Sequence, residues 1–330
     1  MHAAPAAAAR RLKIAGPTVP AAPTGSARAD VGLNAVIISV DGTTPRLLTV
    51  GPQAHQESLP SGHLDDAVDR TLEQGVRRLV SSETGLPVRY FEQLYTFGDR
   101  NRVPGGRALA VAYLALVRHQ EVQGAAKPSW RSCYELFPWE DWRDGQPAVL
   151  EASVVPVLER WLASCRPSEL ATRQERADLT FGLGHARWDP VRVLDRYELL
   201  YELRLVGEAA PQGGRAGPGL GRPLALDHRR IAAAALERLR GKLAYRPVVF
   251  EVLPDTFSLS RLQQVVEALA GQVLHKQNLR RLVASANLVE PTGEWDQRTG
   301  GRPAELYRFR REVLRERPAP GLGLRRLGGP

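Results

Sequence analysis

The sequence predicts two folded units: an α/β domain with a mixed sheet between helices, and a C-terminal winged helix-turn-helix domain. Three observations predict them. From residue 31 to 206, strand-like and helix-like patterns alternate. The run 207–224 is rich in Gly, Pro and Ala, which is typical of a flexible linker. From residue 225 to 317, two helices with a short break precede a hairpin pattern, which is the element order of a winged helix.

Length, charge and cysteine content narrow the class of protein. A chain of 330 residues that is 43% hydrophobic is long and apolar enough for two cores. The formal net charge of +9 favours an anionic partner. Cys133 and Cys165 have no CxxC neighbour, so neither a zinc site nor a disulfide framework is expected. No apolar run reaches about 18 residues, so we expect a cytoplasmic protein with no membrane partner.

The two ends of the chain lack the patterns of folded elements. Residues 1–30 are basic and rich in Ala and Pro, without the continuous apolar core of a signal peptide. We expect a disordered tail there, with a DNA-contacting arm as the alternative. Residues 318–330 are also expected to be a disordered tail.

The first unit carries the alternating pattern and one aromatic insertion. Apolar periodicity predicts two strands and two later helices, at 35–40, 46–50, 153–165 and 191–205. Between the strands and the helices lies FPWEDWRDG (137–145). Its Trp139 and Trp142 either stack on an adenine ring or close the hydrophobic core.

The most informative motif is LPSGHLDDAVDRTLEQGVRRLVSSETGL (59–86), which resembles the Nudix box G-x5-E-x7-R-E-U-x-E-E-x-G-U, with U apolar. Arg78 takes the Arg position and Glu83 the last Glu. The other Glu positions of the box hold Arg70, Leu79 and Ser82. Positions 79, 82 and 83 share one helix face, and a single carboxylate there is a poor site for Mg²⁺. We therefore expect no catalytic residues, no metal and no efficient hydrolysis; an ordinary amphipathic helix with a Gly C-cap is the alternative.

The second unit reads as a long helix followed by a winged helix. Asp227 is a candidate N-cap for a helix over 227–247, and 248–254 is strand-like. Ser258 and Gly271 bound the next helix. A further helix over 275–289 and a hairpin follow, with predicted strands at 288–291 and 304–309.

Charge makes this second unit a candidate DNA-binding domain. Residues 225–317 hold 17 Lys or Arg and 11 Asp or Glu, so 17 − 11 = +6 of the total of +9 lies here. Arg, Lys, Gln and Asn read base edges in the major groove. The predicted DNA-contacting residues of the second helix and the wing are Lys276, Gln277, Asn278, Arg280, Arg281, Arg298 and Arg302. The alternative is a solvated basic helix in a protein-interaction domain.

The long helix between the two units is a candidate transmitter or dimer element. It carries four arginines that either contact phosphates or are solvated: Arg229, Arg230, Arg238 and Arg240.

Both units together resemble the NrtR-type family, the Nudix-related transcriptional regulators of NAD metabolism. The resemblance covers 31–312 except the linker. The segments that carry it are RLRGKLAYRPVVFEVLPDTFSLSRLQQVVEALAG, HKQNLRRLV, VEPTG and GRPAELYRFR. The FPWEDWR segment and the HKQN form are most similar to the alphaproteobacterial NadQ repressors.

The resemblance implies a homodimeric repressor with a Nudix-like sensor domain and a palindromic operator upstream of NAD biosynthesis genes. It implies no required cofactor and a nucleotide effector: ADP-ribose, NAD or ATP. We expect the effector pocket to include Glu83, Gly98, Asp99 and Arg107. For Asp99 and Arg107, a local ion pair within the loop is the alternative. Two other functions stay open, an active Mg²⁺-dependent hydrolase of ADP-ribose or other nucleoside diphosphates and a protein-interaction winged helix with a silent sensor.

Overall fold

The structure is a computed structural model that describes residues 30–51, 56–99, 102, 108–124, 126–209, 219–297, 303–316 and 321–322. In chain order its elements are β1 (Asp30–Asp41), β2 (Thr44–Thr49), β3 (Ser61–His63), α1 (Leu72–Thr84), β4 (Tyr90–Phe97), β5 (Ala108–Leu116), β6 (Ser129–Ser132), α2 (Cys133–Leu136), α3 (Val155–Ala163), α4 (Pro167–Phe181), α5 (Val193–Glu202), α6 (His228–Tyr245), β7 (Thr256–Ser258), α7 (Leu259–Ala270), α8 (Lys276–Ala286), β8 (Val289–Asp296), β9 (Ala304–Phe309) and α9 (Val313–Glu316). Residues 1–29 and 323–330 lie outside the described residues, and with them most of both predicted tails.

A mixed sheet is the centre of the first unit. Its strand order is β4-β5-β1-β2-β6, and β3 pairs with β1 beside β2. The β1–β5 pair is parallel and the other pairs are antiparallel. β1 is buried along nearly its whole length, which its apolar sequence LNAVIISV predicts for a strand covered on both faces.

Helices cover the two faces of this sheet. On one face, Leu33 and Ile37 of β1 pack with Val76 and Val80 of α1. On the other face, alternate residues of β1, β5 and β2 join a core that includes α5, α6 and α7. The predicted α/β architecture, a mixed sheet between helices, is confirmed.

The C-terminal unit has the winged-helix order of elements. The Ser258 hydroxyl accepts a hydrogen bond from the backbone N–H of Arg261, and α7 ends at Gly271 with φ +74°. The break to α8 is short, and β7, β9 and β8 form an antiparallel sheet in that order. The predicted caps and the hairpin are therefore present. The second wing strand has the predicted bounds, whereas β8 continues to Asp296, five residues into the predicted turn.

One local prediction in this region was wrong, and a second holds in position only. Residues Val248–Glu251 form a 3-10 turn rather than a strand, because a short apolar run suits any buried segment and Val248, Val249 and Phe250 are all buried. Asp227 does precede α6, but its side chain makes no capping bond, since it faces Arg102 instead.

The segment predicted as a linker lies partly against the first unit. Leu220 and Leu224 are buried, and Arg222 pairs with Glu57 at 3.2 Å. Residues 210–218 lie outside the described residues. Near the chain end, Leu322 is also buried in the core that α6 and α7 share. The domain boundaries stay a prediction, and one hydrophobic core runs from the first unit into the winged helix. Among the described residues, we find no helix with the length and apolar character to cross a membrane.

Candidate functional site

Helix α1 keeps the frame of the Nudix box without its carboxylates. Thr71 caps the helix, and Arg78 donates two hydrogen bonds to Asp69, at 2.9 and 2.7 Å. That pairing holds the pKa of the Asp69 carboxyl at about 2. Leu79 is buried, and the Ser82 hydroxyl donates to the carbonyl of Leu79, so neither position offers a charge.

Glu83 is the one acidic side chain that the box retains at a metal-binding position. Burial raises its pKa, and a backbone hydrogen bond from Ser61 offsets part of that rise. Its Oε2 atom is buried without a hydrogen-bond partner among the described residues. No cluster of three His, Cys, Asp or Glu side chains that could hold a metal occurs in the described part of the chain. Among the described residues, Glu83 is therefore the single box carboxylate available to a divalent cation.

Three of the residues expected to bind the effector, Glu83, Gly98 and Asp99, lie towards one end of the sheet. The backbone of Ser61 donates to Glu83, and strand register places His63, two residues further along β3, level with Phe97 at the end of β4, where Gly98 and Asp99 follow. The aligned pairs are Gly32↔His63, Gly32↔Ala110 and Phe97↔Ala110. Three strand spacings separate β3 from β4, roughly 14 Å. Glu83 and Asp99 thus flank one sheet end without contacting each other, and Arg107 lies outside the described residues.

Asp99 is paired with the second half of the chain. Its Oδ2 accepts a hydrogen bond from Nη1 of Arg230 on α6, at 2.5 Å. Arg230 also donates to Glu198 of α5 at 2.6 Å. The neighbouring Gly98 is closely approached by Leu109, since a Cβ there would lie 2.7 Å from Leu109 Cδ2. Sequence reasoning missed the partner of Asp99 because the two residues lie 131 positions apart.

Two of the four arginines of α6 have neither role that the sequence suggested. Arg229 and Arg240 are fully buried, so their guanidinium groups are not at the surface to meet a phosphate or solvent. Arg229 donates to Glu208 and to backbone carbonyls. Arg230 and Arg238 are partly exposed, and each is ion-paired to the first unit, Arg238 with Glu92 at 3.6 Å. The four arginines fix α6 to its surroundings.

The FPWEDW segment is also structural. Trp139 is fully buried, so it does not stack on a ligand. Trp142 stacks on Trp188 with ring centroids 5.1 Å apart. Between them, the fully buried carboxylate of Glu140 accepts hydrogen bonds from Arg196 and Arg240. The sequence did not lead us to predict that Glu140 is buried. The one available indication was a charged residue within an aromatic segment.

Helix α8 presents the polar face that the sequence predicts. Leu279 and Val283 are buried against the domain core, while the predicted DNA-contacting side chains of this helix are all exposed: Lys276, Gln277, Asn278, Arg280 and Arg281. Arg281 donates to the side-chain oxygen of Asn278 at 2.9 Å. Arg298 and Arg302, the predicted wing contacts, lie outside the described residues. We call α8 the reading helix from here on.

Comparison with known proteins identifies the C-terminal unit. The family described as the NrtR DNA-binding winged helix domain matches residues 249–309. The ADPR responsive transcriptional repressor NtrR of Acinetobacter baylyi is 24% identical over 277 residues, which covers 83% of this chain and 79% of that protein.

The chain resembles the NrtR-type Nudix-related winged-helix regulators, and its residues 249–309 match their DNA-binding domain.

Solved structures show the same two-part fold. Shewanella oneidensis NrtR complexed with a 27mer DNA superposes with a TM-score of 0.54 at 24% identity, covering 86% of this chain and 94% of that one. A MutT/nudix family protein from Enterococcus faecalis gives a TM-score of 0.53 at 18% identity, covering 88% and 90%. Both likenesses extend over the first unit and the winged helix of this chain. The finer similarity to NadQ repressors stays a prediction.

Proposed function

We propose that this NrtR-type chain is a cytoplasmic DNA-binding transcriptional repressor of NAD biosynthesis genes, and that its sensor domain binds an NAD-related nucleotide. The observation that carries the proposal is the exposed face of the reading helix within a domain that matches the NrtR DNA-binding family. Lys and Arg side chains supply affinity through phosphates, and Arg, Gln and Asn supply base readout. In this proposal the sensor domain spans residues 31–206, the linker 207–224 and the winged-helix domain 225–317.

A homodimer explains how one reading helix per chain recognises a palindrome. Two winged helices must present their reading helices about one DNA turn apart. An effector changes that spacing only to the extent that it binds the two dimer geometries with different affinity. We propose that the effector binds at the exposed surface of the sensor domain and that its affinity there differs between the two dimer geometries.

ADP-ribose is the effector we put first, because the Acinetobacter relative is named as ADPR responsive. NAD and ATP are the alternatives. Glu83, Gly98, Asp99 and Arg107 are the proposed effector residues, at the sheet end where the first three lie. The protein needs no cofactor in this proposal.

Hydrolysis is not part of the proposed function. A single box carboxylate, half-buried with a raised pKa, is a weak ligand for a hard cation. A sensor that leaves its ligand intact can report the ligand concentration. Turnover of ADP-ribose in Mg²⁺ that is lost in Glu83→Gln would replace this view with the hydrolase alternative.

The decisive experiment measures operator binding. Duplexes from promoters of NAD-synthesis genes, and duplexes selected by the protein from a random pool, are titrated at low salt by fluorescence anisotropy. Arg280→Ala and Arg281→Ala should each raise the Kd about 5- to 150-fold, because an arginine contact with a base is worth about 1–3 kcal/mol. Arg160→Ala, an exposed arginine on α3, is the matched control and should change the Kd less than about twofold.

Two results would contradict the proposal. The wild type could bind no duplex at low salt, which removes DNA binding altogether and favours a protein-interaction winged helix. Alternatively, both reading-helix variants could bind as tightly as the wild type, which removes the assignment of α8.

A further inference from the structure

Two ion pairs join the sensor domain to the first turn of α6. Asp99 pairs with Arg230 at 2.5 Å, and Arg102 pairs with Asp227 at 2.9 Å. The two loop residues are themselves joined, since the backbone N–H of Arg102 donates to the carbonyl of Asp99 at 3.1 Å. The short loop after β4 therefore holds the start of α6 at two adjacent points.

The two pairs differ in exposure, which gives them different roles. The side chains of Arg102 and Asp227 are only 7% and 15% exposed, so this pair is an anchor. The side chain of Asp99 is 63% exposed and that of Arg230 29%, so this pair is open to a bound molecule. A negatively charged ligand beside Asp99 would repel its carboxylate and attract the Arg230 guanidinium.

A second loop reinforces this junction from the Nudix box. The backbone N–H of Leu59 donates to Nδ1 of His228, the first residue of α6, at 3.0 Å. Burial lowers the pKa of His228 to about 4, so the ring stays neutral and able to accept this bond. Both loops beside the proposed effector residues thus end on the same helix turn.

The other half of α6 holds the winged helix. Arg240 lies about 15 Å further along the helix and donates to the carbonyl of Leu269, near the end of α7. The same end of α7 receives bonds from Tyr134, to the carbonyl of Ala268 at 2.5 Å, and from the backbone of Trp142, to Gly271 at 2.7 Å. Five residues after Gly271 the reading helix begins. A shift of α6 along its axis must therefore move α7 or break buried hydrogen bonds.

We propose that the Asp99–Arg230 and Arg102–Asp227 pairs are the coupling contacts that report effector occupancy to α6 and, through Arg240, to the reading helix. This inference rests on the proposed function, because it needs an effector at the loop and an operator at α8. Arg230 acts as a positioning residue, and Asp99 is both its partner and a proposed effector contact. Loss of the exposed pair should uncouple the two sites, and in Arg230→Gln each site should still bind its ligand.

The test measures the ratio of the operator Kd with saturating ADP-ribose to the operator Kd without it. Operator Kd is determined by fluorescence anisotropy for the full chain, with and without saturating ADP-ribose, on a duplex selected from a random pool. The wild-type ratio should lie in the range typical of allosteric coupling, about 5–150-fold in either direction. Asp99→Asn and Arg230→Gln should each reduce it below about threefold, with ADP-ribose saturation confirmed by calorimetry. Asp99→Glu keeps the carboxylate and should retain most of the ratio.

Arg238→Gln is the matched control. Arg238 is the same residue type on the same helix, is 33% exposed, and pairs with Glu92 of β4 rather than with the loop. It should keep the wild-type ratio. The proposal is overturned if Asp99→Asn and Arg230→Gln also keep that ratio, or if Arg238→Gln loses as much. A wild type that binds neither duplex nor ADP-ribose would instead refute the proposed function, and this inference with it.

Discussion

Replacement of Glu140 by Gln tests how much the buried charge cluster contributes to the fold. Glu140, Arg196 and Arg240 are all fully buried. Burial by itself raises the pKa of the Glu140 carboxyl, but the two guanidinium groups outweigh it and the pKa lies below its usual value. Gln keeps the size of the side chain and removes the charge. The variant therefore leaves two buried guanidinium groups without a counter-charge.

The expected loss of stability is about 3–5 kcal/mol, the usual cost of removing one partner from a buried ion pair. The Coulomb attraction of Glu140 to each guanidinium is about 4 kcal/mol at a charge separation of 4 Å and an effective dielectric of 20. The neutral Gln side chain avoids the desolvation cost of a buried carboxylate, which offsets part of the two lost attractions. Because the pKa of Glu140 is lowered on folding, this stabilisation is present above the unfolded pKa. It is lost as the pH falls through the folded pKa.

The assay is urea unfolding followed by tryptophan fluorescence at a fixed protein concentration. Trp188 is a suitable reporter, because its ring lies 5.1 Å from the Arg196 guanidinium and 5.6 Å from that of Arg240. The control is Glu169→Gln, which breaks an exposed pair with Arg173 and should cost less than about 0.5 kcal/mol. A loss below about 1 kcal/mol for Glu140→Gln would refute the reasoning.

Three further predictions concern stability. The pKa of His228 falls from 6.5 to about 4 on folding, so the free energy of unfolding should fall by about 3 kcal/mol as the pH drops from 6.5 to 4. In His228→Gln, a plot of unfolding free energy against pH should be flatter over this range. An unchanged slope would contradict the prediction. Gly271→Ala should lower the thermal midpoint more than Gly293→Ala does. Both glycines have positive φ, but only at Gly271 would a Cβ clash with a backbone oxygen, that of Glu140. Equal midpoints would contradict this, because they would show that the backbone at the end of α7 moves to accept the Cβ. Burial raises the pKa of Glu83, so the ionised carboxylate opposes folding at pH 8. Glu83→Gln should therefore melt at a higher temperature than the wild type at this pH. A lower midpoint would instead show that the carboxylate makes a favourable contact.

Local sequence patterns predicted the elements whose stability depends on near neighbours. The caps at Ser258 and Gly271 bound α7 as expected, and the apolar positions Leu279 and Val283 bury one face of the reading helix. The pattern at 248–254 failed because a short apolar run does not distinguish a strand from a buried turn. Periodicity also gave no information about which partner a charged side chain would meet.

The sequence by itself therefore determined the two-part architecture, the loss of carboxylates from the Nudix box and the polar face of the reading helix. These follow from residue identity and spacing of a few positions. Only the tertiary structure decided that Arg229 and Arg240 are buried, that Glu140 neutralises Arg240, and that Asp99 pairs with Arg230. Those contacts join residues about 100 positions apart in the chain. A charge can be buried only where the folded chain supplies its counter-charge, and that supply is a property of the assembled fold.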